Sequence, residues 1–134
     1  MITVSFGFTK DYCAVVLIRD GKMEKNITSR LREYDNNSTF LRALECMRRA
    51  MNLTKFYIDE NPDVDEIVFE CNNNTVINWV KRGYSKDEYD DLFFECLLKL
   101  HEIPVKYSFK HNPKTVALKY ANKNGIREDK LERL

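Results

Sequence analysis

The sequence predicts an α/β domain built on a five-stranded mixed sheet with helices on its faces. Three observations predict it. Ile2, Val4, Phe6 and Phe8 alternate with other residues, the period of a half-buried strand. Asp20-Gly21 joins two β-type runs and supplies the positive φ that a tight hairpin turn needs. Beyond residue 36, stripes at helical spacing alternate with short strand-like runs. The order that results is β-β-β-α-β-α-α-β-α. At 134 residues and 43% hydrophobic, the chain suffices for one domain with a real core and is too short for two.

Each element has its own signal. After the first strand, Lys10-Asp11 reads as a turn. The run YCAVVLIR, 12–19, is nearly continuous and β-branched, as in a strand buried on both faces. A third strand spans Met23 to Leu31, with Ile27, Ser29 and Leu31 on one face. Asn37 or Ser38 caps a long helix whose stripe is Phe40, Leu41, Leu44, Met47 and Met51. Asn61-Pro62 breaks the chain, and Ile67 to Phe69 forms a short buried strand. Asn72-Asn73-Asn74 leads into a helix over Thr75–Arg82, stopped by Gly83. Ser85 and Glu88 form a capping box for the next helix, which carries Tyr89, Leu92, Phe93, Cys96, Leu97 and Leu100. Val105, Tyr107 and Phe109 alternate as a fifth strand. Pro113 suits the first position of a last helix and Gly125 its end. Residues 1–125 therefore read as one domain, and 126–134, IREDKLERL, as an extension that is helical or frayed.

Composition narrows the function. The net charge is +1, so no bulk attraction to nucleic acid or membrane is predicted. No apolar run approaches the roughly 18 residues of a membrane span, and MITVSFGF carries no signal-peptide pattern. A cytoplasmic location follows as the expectation, so the sequons at Asn26, Asn37 and Asn52 carry no meaning. Cys13, Cys46, Cys71 and Cys96 form no C-x-x-C pair, and only His101 and His111 stand beside them. Buried free thiols are the simpler reading than a zinc site. No P-loop, G-x-G-x-x-G or H-E-x-x-H occurs, and no cofactor is expected. Twelve asparagines against five alanines point to an AT-rich coding genome, such as a phage or a low-GC bacterium.

Four segments, in this order, resemble the ribonuclease H family. SFG lies where that family has aspartate then glycine, and NNSTFLRAL resembles the start of its first long helix. FECNNNTVINWV resembles its strand-to-helix segment. VKYSFKHNP followed by ALKYANKNG resembles its last strand, histidine loop and terminal helix. The resemblance implies a ribonuclease H-like fold over about residues 1–125. It also implies a two-metal centre, in which four acidic residues hold two Mg²⁺ ions that activate water and stabilise the leaving oxygen. The matching positions here are Phe6, Phe40, Asn72 and Leu118. None is acidic, and hard cations need oxygen ligands. His111 matches the loop histidine. The expectation is no nuclease activity. If Phe6 and Phe40 both project into that centre, they extend the core.

Charge is unevenly placed. Residues 99–134 carry a net of +5 and residues 57–98 a net of −8. Lys110, Lys114, Lys119 and Lys123 form a candidate phosphate-binding patch, although a solvated helix face is the simpler reading. His111, Asn73 and Asn74 join them as candidate nucleic-acid contacts; Asn73 and Asn74 equally suit a helix start. Asp87, Glu88, Asp90 and Asp91 favour the start of their helix, or meet a basic partner. Trp79 reads as core rather than as a base-stacking platform. The leading expectation is a catalytically inactive binding module for a protein partner or for RNA or DNA. The alternatives are a metal-dependent nuclease relocated onto Glu70 with Asp11 or Asp65, and a homodimer joined through an apolar patch on the last helix.

Overall fold

The computed structural model describes residues 1–31, 38–83 and 89–122. Five strands form one sheet: β1 (Ile2–Phe8), β2 (Tyr12–Arg19), β3 (Lys22–Arg30), β4 (Glu66–Cys71) and β5 (Lys106–His111). Their order is β3-β2-β1-β4-β5. The two hairpins pair antiparallel, while β1 with β4 and β4 with β5 pair parallel. Asp20 and Gly21 take φ of 52° and 75°, which turns β2 into β3 as the Asp-Gly pair predicts. The helices are α1 (Thr39–Glu60), α2 (Asn74–Arg82), α3 (Asp90–His101) and α4 (116–122). Among the described residues the element order is the one predicted.

The pleat of β1 decides which helix meets which face. Ile2, Val4, Phe6 and Phe8 join the large core with residues of α1, α2 and α3. Ser5 and Gly7 face the other side, where Ala117 and Ala121 of α4 pack with Ala14 and Val16. The Ala117 amide donates to Ser5 Oγ at 3.1 Å. A Cβ on Gly7 would lie 2.9 Å from Thr115 Oγ1 and 3.1 Å from the Leu118 nitrogen. Glycine is therefore required by close approach. Gly7→Ala is expected to cost about 1–3 kcal/mol through overpacking. A urea melt of the variant against the parent checks it, and an unchanged midpoint would mean α4 does not sit on β1.

Of the two candidate caps Ser38 is the one that caps α1, accepting from the amides of Phe40 (3.2 Å) and Leu41 (3.4 Å). The predicted stripe is buried at Leu44, Met47 and Met51 and half-buried at Phe40 and Leu41. The stripe missed Glu45, whose side chain is only 4% exposed. Arg48 grips both its oxygens, and Arg49 Nε donates to Oε1 at 3.1 Å. Burial alone would push the Glu45 carboxyl up; the two guanidinium groups outweigh that and hold it below its ordinary value. Its folded pKa is lowered, so its contribution is present above the ordinary value of 4.5 and lost as pH falls below it. Urea midpoints measured from pH 7 to pH 3 are expected to fall across that window. Glu45→Gln is expected to be less stable at pH 7 and to show a shallower acid fall; an equally steep fall would contradict the assignment.

Asn73 caps α2 by accepting from the Val76 amide at 3.1 Å, and Gly83 ends it at φ 82°. The capping box Ser85–Glu88 lies outside the described residues, as do Asn37, Lys123, Gly125 and the whole of 126–134. The start of the last helix differs from expectation. Pro113 is not the first helical residue; it and Lys114 form a turn, and helix begins at 116. The reason is local hydrogen bonding. Asn112 Oδ1 accepts from the Lys114 amide at 3.1 Å, and Thr115 Oγ1 accepts from the Leu118 amide at 3.2 Å. Thr115 is the cap.

Candidate functional site

Because β1, β4 and β5 are parallel, their carboxyl ends lie along one edge of the sheet. Open α/β sheets place ligands at that edge, since loops and helix starts gather there. Here it collects Thr9–Asp11 after β1, Asn72–Asn73 after β4 and Asn112–Thr115 after β5. The last two are tied together. The Asn112 amide donates to the Cys71 carbonyl at 2.9 Å, and Asn112 Nδ2 donates to Glu70 Oε1 at 3.0 Å. Cys71 is buried against this edge, and burial pushes its thiol up to about 12.

The four positions that the resemblance singles out are dispersed in role. Phe6 is 0% exposed and is paired in register with Cys71 and Val15, inside the main core. Phe40 is half-buried, and its ring packs on Trp79 at 5.2 Å and Tyr89 at 5.7 Å. Both therefore belong to one apolar cluster. Leu118 lies in the first turn of α4, its backbone against Gly7. Asn72 follows β4, and its Oδ1 is buried without a hydrogen-bond partner. A pair of Mg²⁺ ions needs several oxygen ligands, mostly charged. These four side chains offer one neutral oxygen, so they do not fit such a centre. Among the described residues no three His, Cys, Asp or Glu side chains form a metal-binding group.

The register of β4 takes Asp65 out of the relocated constellation. Asp65 precedes the strand and Glu70 lies near its carboxyl end. Five residues of extended chain separate them by about 16 Å. Glu70 faces the α4 side, beside Ser5 and Lys110, and is occupied by Asn112. Asp11 lies in the turn after β1, at the same edge as Glu70.

The candidate nucleic-acid contacts divide by place. Lys110 and His111 are exposed at the end of β5, and Lys114 is exposed in the following turn. Asn74 is exposed at the start of α2, whereas Asn73 uses its side chain as the cap. The link between Asn112 and β4 makes these loops neighbours. Lys119 is exposed on α4. Lys123 lies outside the described residues. The N-terminus of α2 adds partial positive charge to this edge. Sequence reading missed Asn112, Thr115 and Ser5, which position the edge; only the Asn-Pro pair at 112–113 was a local signal for the first of them.

No protein-family profile and no curated protein matches the chain. Solved structures do. LC11 ribonuclease H1, solved in complex with an RNA/DNA hybrid, matches with a TM-score of 0.68 at 18% identity, over 85% of this chain and 86% of that one. Ribonuclease H1 from the halophilic archaeon Halobacterium salinarum matches with a TM-score of 0.63 at 14% identity, over 84% and 86%. The foamy viral protease-reverse transcriptase, solved with double-stranded DNA, matches with 0.59 at 13%, over 83% of this chain and 23% of that one. The chain has the ribonuclease H fold. Among the described residues no helix is long and apolar enough to cross a membrane.

Proposed function

We propose that this ribonuclease H-fold domain is a catalytically inactive module that binds nucleic acid along the carboxyl edge of β4 and β5. The observation that carries the reading is Phe6. An apolar ring fills the β1 position where the resemblance expects a metal-holding carboxylate, and among the described residues no three His, Cys, Asp or Glu side chains gather into a metal-binding group. Exposed Lys110, Lys114 and Lys119 supply phosphate contacts, and Asn74 with the α2 amides supplies donors. Two of the structural neighbours were solved with an RNA/DNA hybrid or double-stranded DNA, which supports nucleic acid as the class of ligand. We place the protein in a cytoplasm, that of a low-GC bacterium or of a phage-infected cell.

Titration against labelled RNA:DNA hybrid, double-stranded RNA and single strands tests it. Affinity is expected to fall steeply between about 50 and 200 mM salt. Lys110→Glu with Lys114→Glu is expected to weaken binding about 100-fold at low salt and to reduce the salt slope by about 2. No binding at low salt would overturn the reading. It would favour a protein partner, for which α3 offers Phe94 and Leu98, 60% and 50% exposed.

A further inference from the structure

Away from the edge, two sulfurs meet across the main core. Cys13 on β2 and Cys46 on α1 are both buried, and their Sγ atoms lie 2.7 Å apart. Both belong to regular elements packed on each other, so the fold itself holds the pair in place. Cys46 Sγ is further held by the carbonyls of Gly7 at 3.4 Å and Ala14 at 3.7 Å. Cys71, the third thiol nearby, is occupied by the Asn73 amide at 3.3 Å. Cys96 points elsewhere, toward the Leu44 carbonyl at 3.5 Å.

The pair is not sealed. Cys13 lines a cleft of about 400 Å³ between β3 and α1. Ile27 and Phe56, both exposed, stand at its rim, and Arg48 and Arg49 line it with them. A small uncharged oxidant fits such a cleft. Cys46 lies behind Cys13, and its thiol is pushed up by burial first and then by the Cys13 sulfur beside it. Cys13 lines the cleft and Cys46 does not, so Cys13 is the sulfur an oxidant meets first and Cys46 the one that resolves.

We infer that Cys13 and Cys46 are an oxidation site, which a peroxide converts into a disulfide joining β2 to α1. Cys13 thiolate attacks one peroxide oxygen and the O–O bond breaks. The hydroxide released takes the thiol proton and leaves as water, and Cys13 becomes a sulfenic acid. The Cys46 sulfur then attacks the Cys13 sulfur. The S–O bond breaks, and hydroxide leaves with the Cys46 proton as a second water. Two thiols lose two electrons in all, and the peroxide gains them. The sulfurs already touch, so the bond forms between groups that the packing of β2 and α1 has brought together. The product closes the loop from 13 to 46 and removes chain entropy from the unfolded state.

The test uses the whole chain and dilute hydrogen peroxide. After quenching and unfolding, free thiols are counted with a chromogenic disulfide, and peptides are mapped without reductant. Two of the four thiols are expected to disappear, with the Cys13 and Cys46 peptides linked. The midpoint of thermal unfolding is expected to rise by about 10 °C, reversed by reductant. Cys71→Ala and Cys96→Ala are expected to leave the crosslink intact, whereas Cys13→Ala or Cys46→Ala abolishes it. If a core variant fails to fold, the peptide map of the parent decides alone. Four surviving thiols, a different pair, an intermolecular link or over-oxidation of a single cysteine would each overturn the proposal.

Discussion

Phe6→Asp is expected to leave no cooperatively folded protein at 25 °C. It is the single change that would restore the acidic residue the resemblance expects on β1. Phe6 has no solvent exposure and sits in the central strand, flanked by Val15 and Cys71 in register. A carboxylate there would be buried without a cation, and no described cluster of acidic or ligating groups is present to bring one in. Phe6→Ala already removes a fully buried ring, at a cost of about 3–5 kcal/mol. Burying an unpaired charge adds several kcal/mol more. Total stability for such a domain is about 5–15 kcal/mol, so the aspartate exceeds what the fold can absorb. Circular dichroism with urea melts of both variants measures it. A Phe6→Asp protein with a near-normal midpoint would mean that water or an ion reaches the position, as in a working site.

Trp79→Ala is expected to cost about 3–5 kcal/mol. Trp79 is 2% exposed and stacks on Tyr89 at 5.7 Å, with Phe40 at 5.2 Å and Phe93 at 6.3 Å. That cluster joins α1, α2 and α3 on one face of the sheet. Offset and edge-on rings of this kind contribute beyond their buried area. Trp79 is the chain's one tryptophan, so its fluorescence reports on it alone. Emission is expected to be blue-shifted in the free protein and unchanged when nucleic acid saturates it. Strong quenching on binding would make Trp79 a stacking platform and contradict the core assignment.

The parts of the fold legible in the sequence were those set by local chemistry. Ser38, Asn73 and Gly83 act at helix ends as their types require. Asp20-Gly21 makes the hairpin, and the alternation along β1 separates its two faces. What escaped was set by partners distant in sequence. Glu45 interrupts an apolar stripe yet is buried, because Arg48 and Arg49 close over it and Arg49 reaches Ser29 on β3 at 2.7 Å. Thr115, not Pro113, starts the last helix because α4 must meet Ser5 and Gly7. At the site, the apolar character of Phe6 and its place on the core face of β1 were both readable from the alternation Ile2, Val4, Phe6, Phe8. The mismatch of Asp65 with Glu70 was readable in principle, since an extended strand puts its two ends far apart.

The central question is whether the domain binds without cutting. The measurement is single-turnover incubation of 5′-labelled RNA, paired to DNA, with excess protein and Mg²⁺ or Mn²⁺, followed by denaturing electrophoresis. Binding is confirmed in the same tubes by a salt-sensitive mobility shift. Full-length RNA in the shifted complex after prolonged incubation is the predicted result. Cleavage that copurifies with the protein and is lost in Glu70→Gln would contradict it, and would place a metal-dependent centre at the end of β4.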